Sequence, residues 1–526
     1  MKQHRAWTMA VGVALAGGPA AARDGAPSAT VTNTLTSEWR AEPPGELTSD
    51  DQYGFFLDRL NIVGSAGDLT TNLRVDGMYF IDPDTAGLRS DSRVERVQVR
   101  YNLGKLKLTV GDYFKQLGRG LVLSLRKVDE LGVDVSLRGG DLAWSGPTLQ
   151  ASLFAGRVNP ANVDLVSQRF LEDTEDIMVG GHGRVAAGAG LFVGGHALFM
   201  EREEPIAASE GDDRNTTVGL TFEAPTLTDW LAVYAEGNLQ QLVRAGQDSH
   251  QATASYVAID ITPPDWAFLI EGLHLNALDH DTLGFEQVGG LNQATQQRFR
   301  YNNIPTLERI DMEVSNVEDV VGGRLRAERF FLDGDLVFHA NGLFKLEDQG
   351  EGEAEVRVLH GFGGFEYVYG QGASRITTNG GYRQAYNTAR EEVVKVIAHY
   401  DLDWVQHLTG AYGIHLQSLN QFRQLEQGST GGQLDDNVRG STLLSVDKAG
   451  LGSLTFELGY DTQSQRGRTL FYAGILRYDA NDWLQIRSTV GTQRGGIKCI
   501  AGICRNFPEF SGAQLTLIIR HGLTSF

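Results

Sequence analysis

Hydrophobic and polar residues alternate one by one along most of the chain, with the two-residue period of a β-strand. In residues 69–81, Leu69 and Leu73 fall on one face, whereas Arg74 and Asp76 fall on the other. One face suits lipid and the other suits water, so the pattern predicts the strands of a transmembrane barrel. The same alternation recurs in residues 335–346, 454–461, 484–490 and 514–523.

The connections between these segments alternate in length. Tight turns are expected at residues 102–105, 187–190, 262–265, 332–335 and 479–482. Longer polar connections are expected at residues 159–176, 201–214, 276–317, 347–355 and 423–436. We count roughly 22 to 24 strand-like segments, and bacterial outer-membrane barrels have an even number. The sequence therefore predicts an all-β fold, a single transmembrane antiparallel up-and-down β-barrel with short periplasmic turns and long extracellular loops.

The start of the chain has the pattern of a cleaved signal peptide. Lys2 and Arg5 precede a short apolar run, and small residues stand just before Arg23. The run is shorter than the roughly 20 residues that a membrane helix needs, and no later stretch does better. We therefore expect a signal peptide at residues 1–22, an N-terminal periplasmic segment at residues 23–52 and the barrel at residues 53–526.

Two soluble all-β architectures are the alternatives. A β-sandwich would require inner positions that are uniformly apolar, and a propeller would require a fixed repeat of about 40 residues. The chain shows neither pattern, nor does it show a linker between domains along its 526 residues. Tryptophans near strand ends fit a girdle at the lipid headgroups instead. They are Trp230, Trp266, Trp404 and Trp483.

The chain resembles the outer-membrane β-barrel superfamily over nearly all of its length, and its last strand pattern ends in Phe526. The resemblance implies a location in the outer membrane of a Gram-negative cell. It also implies that the barrel-assembly machinery binds the C-terminal strand. Residues 111–121 and 499–508 are similar to a group of large barrels that has no assigned activity. That similarity supports the fold and predicts no function.

The chain has two cysteines, Cys499 and Cys504, in the connection before the last strand pattern. An exported protein meets an oxidising environment, so a small disulfide loop is expected. The alternative is a metal site, which would need further ligands that are not close in sequence. We predict no metal ion and no cofactor.

The formal net charge of −20 excludes nucleic acid as a partner, because a nucleic-acid-binding surface is basic. Acidic residues are concentrated in the expected loops, where they are either simply solvated or bridged by divalent cations to anionic lipopolysaccharide. Outer-membrane lipid and lipopolysaccharide are therefore the expected surroundings. The sequence leaves the oligomeric state open.

Charged residues of both signs fall on the polar faces of the strand patterns. They either pair across the wall as structure or set a transverse field in a water-filled pore. Residues 118–140 form another strand or a segment folded inward, which would place arginines at a constriction and favour anionic solutes. The candidates for the lumen wall are Arg74, Asp76, Arg100, Arg119, Arg126, Arg138, Glu236, Lys345, Glu457, Asp461, Arg477, Arg487 and Arg520.

No catalytic motif is present, so we do not expect an enzyme, although a Ser–His pair on neighbouring lipid-facing strands is a possible exception. The expected function is a porin-like channel for passive passage of small polar solutes. Residues 276–317 either fold into the lumen and restrict it or cover the outer mouth. The alternative function is a non-conducting barrel that acts as a surface scaffold, an adhesin or part of an export or motility complex.

Overall fold

The structure of the protein is a computed structural model. It describes residues 27–41, 53–81, 90–164, 169–170, 176–188, 190–202, 213–243, 249–276, 278, 301–305, 307–308, 319–347, 355–408, 410–426, 434–463, 468–500 and 503–524. The predicted signal peptide, Phe526 and most residues of the predicted long loops lie outside the described residues. Among the described residues, no helix is long and apolar enough to cross a membrane.

Within these residues the barrel wall has 24 strands. The first twelve are β1 Ser28–Arg40, β2 Tyr53–Ala66, β3 Leu69–Ile81, β4 Asp91–Leu103, β5 Leu106–Tyr113, β6 Val133–Ser145, β7 Leu149–Pro160, β8 Ile177–Gly188, β9 Leu191–Arg202, β10 Asp213–Thr228, β11 Leu231–Val243 and β12 His250–Ile261. The second twelve are β13 Trp266–Asn276, β14 Val320–Phe331, β15 Leu336–Glu347, β16 Val356–Tyr369, β17 Ser374–Asn387, β18 Glu392–His407, β19 Tyr412–Glu426, β20 Leu434–Lys448, β21 Gly452–Asp461, β22 Leu470–Asn481, β23 Leu484–Gln493 and β24 Phe510–Thr524.

Each strand pairs antiparallel with its neighbours in sequence, and β1 pairs with β24 to close the barrel. In that seam Ser28 lies opposite Thr524 and Arg40 lies opposite Gly512. Closure leaves no open sheet edge, which a barrel in lipid requires because unpaired backbone groups there are costly. The predicted all-β, antiparallel, up-and-down barrel is confirmed, with a strand count at the upper end of the expected range.

The start of the barrel differs from the prediction. Residues 23–52 were expected to form a periplasmic segment, with the barrel beginning at residue 53, but Ser28–Arg40 is a wall strand. The physical reason is closure, because without this strand the edges of β2 and β24 would remain unpaired. Its outward face includes Asn33 and Ser37 among apolar residues, so its hydrophobic stripe is weak in the sequence.

The alternation of side chains follows the predicted faces. In β3, Leu73 and Tyr79 are exposed on the outside, whereas Arg74 and Asp76 are buried on the inside. In β21 the outward Leu454 is 62% exposed. The polar face of each strand therefore points into the barrel.

Tight turns join the strands at one rim, hereafter the turn rim. The five predicted tight turns all lie between consecutive wall strands, and residues 332–334 form a short 3₁₀ turn. The lengths of the connections at the opposite rim, and the compartment that each rim faces, remain predictions.

Several short elements lie outside the wall. One short pair of strands, one further short strand and one short helix belong to the segment between β5 and β6, a second pair lies between β7 and β8, and a third pair precedes β24. They are Lys115–Leu117, Leu123–Leu125, Lys127–Val128, the 3₁₀ helix Asp129–Leu131, Val163–Asp164, Arg169–Phe170, Gly496–Ile500 and Ile503–Phe507.

Candidate functional site

The candidate site is the lumen, and its main feature is a segment that folds into it. We call residues 114–132, between β5 and β6, the inner segment. Lys115–Leu117 pairs antiparallel with Leu123–Leu125 to make a small hairpin, and Lys127–Val128 then pairs with the start of β6. Residues 118–140 were predicted to be either a strand or an inward segment; their first part belongs to the inner segment and their last part to β6.

Two glycines allow the tip of this hairpin to approach its neighbours. Gly118 and Gly120 have φ angles of +52° and +92°, which side chains rarely adopt. A Cβ atom on Gly118 would lie 2.3 Å from the Glu236 carboxylate, and one on Gly120 would lie 2.9 Å from the carbonyl oxygen of Asn303. Both positions therefore require glycine, because the hairpin tip lies directly against the wall and a second inner element.

That second element is part of the long connection between β13 and β14. We call its described residues, 301–305 and 307–308, the inner loop. The amide of Ser124 donates to the carbonyl of Tyr301 at 2.7 Å, and the amide of Asn303 donates to the carbonyl of Gly120 at 2.9 Å. Residues 276–317 were expected either to fold into the lumen or to cover the mouth. The described part folds into the lumen.

Apolar side chains fix both inner elements to the inside of the wall. One buried cluster joins Leu117, Leu123 and Leu125 of the inner segment and Tyr301 of the inner loop to inward residues of β5–β9. A second cluster joins Leu121, Ile304 and Leu307 to inward residues of β11–β15. The two elements thus cover the inner face of the wall from β5 to β15.

Charged anchors reinforce this packing. The Lys115 ammonium, 9% exposed, donates to Asp141 and to Ser152, each at 2.6 Å. The amide of Arg119 donates to Glu236 at 2.8 Å, while its guanidinium lies 4.5 Å from the centre of the Tyr234 ring. Each anchor donates a hydrogen bond to a buried carboxylate of the wall. Without the inner segment, these carboxylates would lose those donors.

The inner loop has a carboxylate anchor of its own. Glu308, 2% exposed, accepts from Lys345 at 3.2 Å and from Arg383 at 2.6 Å. Burial raises the pKa of Glu308, but the positive charges of Lys345 and Arg383 outweigh it and hold the pKa below its usual range. Glu308 therefore remains ionised and ties the inner loop to both β15 and β17.

This depressed pKa predicts how the anchor depends on pH. A carboxylate with a lowered folded-state pKa stabilises the fold above its unfolded-state pKa, and that stabilisation is lost as the pH falls through the folded-state value. At neutral pH we expect Glu308→Gln to lower the free energy of unfolding by about 3–5 kcal/mol, because two buried cations lose their partner. The difference in the free energy of unfolding between the variant and wild type should become smaller as the pH falls below the usual range of glutamate pKa values. A difference that does not change with pH would contradict the assignment.

A second buried network joins the start of β6, with which the end of the inner segment pairs, to β3 and β4. Asp134, 4% exposed, accepts from Arg96 at 2.9 Å and also from Arg74. Arg74 donates in addition to Asp76 at 2.8 Å, and Arg59 donates to the same carboxylate at 3.1 Å. For Arg74 and Asp76, the structure shows pairing across the wall.

The other candidates near the inner segment also have close partners. Arg138 donates to Asp112 at 3.2 Å, and Arg100 donates to Gln98 at 3.4 Å. Arg126 lies in the inner segment, where burial lowers its pKa to about 10. Arg138 does not line the lumen as predicted, because its side chain is 47% exposed and shares the parity of Leu142 and Trp144 on the outer face of β6.

The inner face from β20 to β24 is different, because several of its charged side chains remain open to solvent. Arg477, Arg487 and Arg520 are exposed, and Glu457 and Asp461 are half-buried. Arg477 and Arg487 lie directly opposite each other on β22 and β23. Apart from Arg100 and Arg138, the sequence candidates therefore divide into paired charges under the inner elements and accessible charges on the opposite wall.

Sequence reasoning missed the residues that hold the inner elements in place. Two of these residues are Lys115 and Glu308, and their partners lie in other parts of the sequence. Glu308, for example, is 75 residues from Arg383. The available signal was the pair Gly118 and Gly120 beside Arg119, which indicated a tight turn but not what it contacts.

The two cysteines lie in the short hairpin that precedes β24. The strands Gly496–Ile500 and Ile503–Phe507 pair so that Cys499 lies directly opposite Cys504. Directly opposite residues have Cα atoms about 4.5–5.5 Å apart, within the range that a disulfide requires. The disulfide itself remains a prediction.

A thiol assay tests this pair. We expect the protein to resist maleimide labelling until it is reduced, because the predicted disulfide would leave no free thiol. Cys499→Ser should expose one reactive thiol without reductant and serves as the control. Labelling of the unreduced wild-type protein would contradict the disulfide.

The possible lipid-facing Ser–His pair has a counterpart in the structure. Ser255 of β12 lies directly opposite His274 of β13, and both side chains are exposed on the outer face. No hydrogen bond joins the two side chains, as nucleophilic catalysis would require. Among the described residues no group of three or more metal-ligating side chains occurs.

The outer surface decides what kind of barrel this is. Trp230, Trp266 and Trp483 are exposed at the turn rim, and a belt of exposed aliphatic side chains follows above them. A soluble protein does not expose an apolar surface that encircles it, whereas lipid requires one. The fold is that of an outer-membrane β-barrel. Its inner face is polar, and its inner segment and inner loop occupy part of the lumen.

Comparisons with known proteins give no family and no function for the chain. No protein-family model and no curated protein matches the chain. The structure is similar to the translocation pore of the P pilus usher PapC, with a TM-score of 0.46, 9% identity, and coverage of 95% of this chain and 100% of that one. It is also similar to the siderophore receptor PirA from Pseudomonas aeruginosa, with a TM-score of 0.47, 9% identity, and coverage of 94% and 80%. A third is OccK2 (OpdF) from Pseudomonas aeruginosa in complex with glucuronate, with a TM-score of 0.39, 14% identity, and coverage of 68% and 92%.

Proposed function

We propose that the protein is an outer-membrane channel through which small polar solutes pass passively. The observation that carries this proposal is the asymmetry of the lumen. The inner elements cover the wall from β5 to β15, whereas the wall from β20 to β24 keeps solvent-exposed charged side chains such as Arg487. Water and solutes would pass between the inner elements and this polar wall.

The width of the barrel explains why inner elements are needed. Barrels of about 16–18 strands already leave an aqueous channel, and diameter grows with strand number. An empty barrel of 24 strands would therefore admit large molecules. The inner segment and the inner loop reduce the opening, and their buried anchors hold them in place.

The surroundings follow from the same proposal. The turn rim would face the periplasm, and the longer connections would face the cell exterior and the lipopolysaccharide. A cleaved signal peptide at residues 1–22 would export the chain, and the barrel-assembly machinery would insert it through β24.

Liposome swelling tests the proposal. Vesicles containing the refolded protein should swell in isotonic solutions of small sugars and amino acids and should not swell in larger oligosaccharides. The control is protein that is unfolded by heat before reconstitution. Vesicles that contain folded protein and admit no small solute would contradict the channel.

One observation favours the alternative, a non-conducting scaffold. The inner elements are fixed by two apolar clusters and several buried ion pairs. Such contacts are typical of segments that stay in one position and not of a gate that opens and closes. A folded protein that admits no solute would support this alternative.

A further inference from the structure

We propose that Arg477, Arg487 and Arg520 form a binding site for small oxyanions, such as phosphate or a carboxylate, at the turn rim of the lumen. The proposal deepens the proposed function by naming a class of solute. Arg477 and Arg487 are directly opposite each other on β22 and β23, where like charges destabilise a strand pair.

The third arginine lies on the next strand and faces the same space. Arg520 of β24 is close enough to interact electrostatically with Arg487, and all three side chains are exposed. The amide of Arg520 donates to the carbonyl of Trp483 in the turn between β22 and β23, which places the group at the turn rim. The three arginines therefore lie on adjacent strands and face the lumen near the turn rim.

Among the residues that the structure describes, one carboxylate contacts this group, and it does not balance the charge. Asp479 accepts from Arg477 with a nitrogen–oxygen distance of 3.1 Å. Gln485 donates to Asp479 at 2.5 Å and accepts from Arg487 at 2.9 Å, so it links the carboxylate to the second arginine. Three positive charges and one negative charge leave an excess of two positive charges.

Another acid at the same level is too far away to pair with them. Asp447 of β20 lies opposite Ser453, and Ser453 lies opposite Arg477. Two strand spacings, about 10 Å, therefore separate Asp447 from Arg477. At this distance, in contact with water, the interaction is largely screened.

Other inward arginines of the barrel show what a purely structural role looks like. Arg383 and Arg74 are 3% and 5% exposed, and each donates to a buried carboxylate. The arginines at the turn rim are exposed and outnumber their carboxylate. Accessible guanidinium groups with excess positive charge can instead bind an anion from solution, which would relieve the repulsion between the arginines.

The surrounding surface also suits an oxyanion. Thr32 of β1 lies directly opposite Arg520, and both belong to the inward face of the seam. A hydroxyl donor beside guanidinium groups matches the acceptor oxygens of phosphate and carboxylate, which arginine can bind with two parallel hydrogen bonds.

Direct binding tests the site without relying on conduction. Inorganic phosphate and succinate would be titrated calorimetrically into the folded protein in detergent at low salt. We expect both probes to bind, and Arg487→Gln to weaken binding about tenfold because a charge-assisted hydrogen bond is lost. Arg375→Gln is the matched control, since Arg375 is inward-facing on β17, exposed, and paired with Asp403 at 3.5 Å. It should leave binding unchanged.

The outcomes separate this site from the channel. Phosphate binding that Arg487→Gln weakens and Arg375→Gln does not supports the site, even if the barrel conducts nothing. Absence of phosphate binding, or an equal loss of binding in both variants, overturns the site. The proposed channel is then still supported if the liposomes swell. In a conducting protein, the site also predicts that Arg487→Gln shifts the reversal potential in a KCl gradient towards lower anion preference.

Discussion

Replacement of residues 116–131 by a short glycine–serine linker is expected to raise the single-channel conductance several-fold. The linker would join β5 to β6 directly, as a tight turn does elsewhere in the barrel, because Tyr113 and Leu137 are already paired. The lumen would lose the hairpin tip that carries Leu121. It would also lose Gly120 and Ser124, whose backbone groups are hydrogen-bonded to the inner loop. Planar-bilayer recordings of the refolded protein would measure the change.

A matched variant separates loss of the segment from loss of one charge. Arg119→Gln keeps the hairpin and its backbone contacts but removes the cation above Tyr234. We expect its conductance to remain close to wild type. If the linker variant folds, as judged by its heat-dependent mobility in gels, and conducts no more than wild type, the inner segment does not restrict the path.

The second large effect is expected on stability. Asp134→Asn should lower the free energy of unfolding by about 3–5 kcal/mol, because Arg74 and Arg96 would share a buried site with one carboxylate fewer. The shape of the side chain is nearly preserved, so the effect would report charge and not packing. Urea unfolding in detergent, followed by tryptophan fluorescence, would measure it.

Asp129 provides the control for this variant. It lies in the inner segment, five residues before Asp134, and contacts Lys127 at 2.8 Å, but its side chain is 56% exposed. An exposed ion pair contributes about 0–1 kcal/mol, so Asp129→Asn should be nearly neutral. Equal destabilisation by the two substitutions would contradict a special role for the buried network.

The wall was largely predictable because alternation is a local property of the sequence. The outward Leu73 and the inward Arg74 follow from their parity alone, and β3 has the predicted faces. The first strand was not predictable in this way. Its assignment depends on pairing with β24, nearly the whole chain away, and its outward stripe is weak where Asn33 interrupts it.

The contents of the lumen were only partly predictable. The sequence indicated that residues 118–140 and 276–317 were candidates for inward segments, and Arg119 for an inward charge. It did not show that these two segments bind each other, because the contact between Gly120 and Asn303 joins distant parts of the chain. Long-range pairing of this kind leaves no periodic signal.

The same limit applies to the charges. Parity predicted that Arg74 and Arg487 face inward, yet the structure gives them different surroundings. Arg74 is buried between carboxylates, whereas Arg487 faces another arginine and solvent. Whether a charge stabilises the wall or remains available to a solute depends on the partner opposite, and the partner is fixed by strand register.

Single-channel conductance of the refolded intact protein would show whether the barrel is a channel. We expect discrete unitary steps from a lumen that is narrowed but not closed by the inner segment and the inner loop. A protein that is folded, closed into a barrel and inserted in the bilayer, yet electrically silent, would contradict the channel and favour the scaffold.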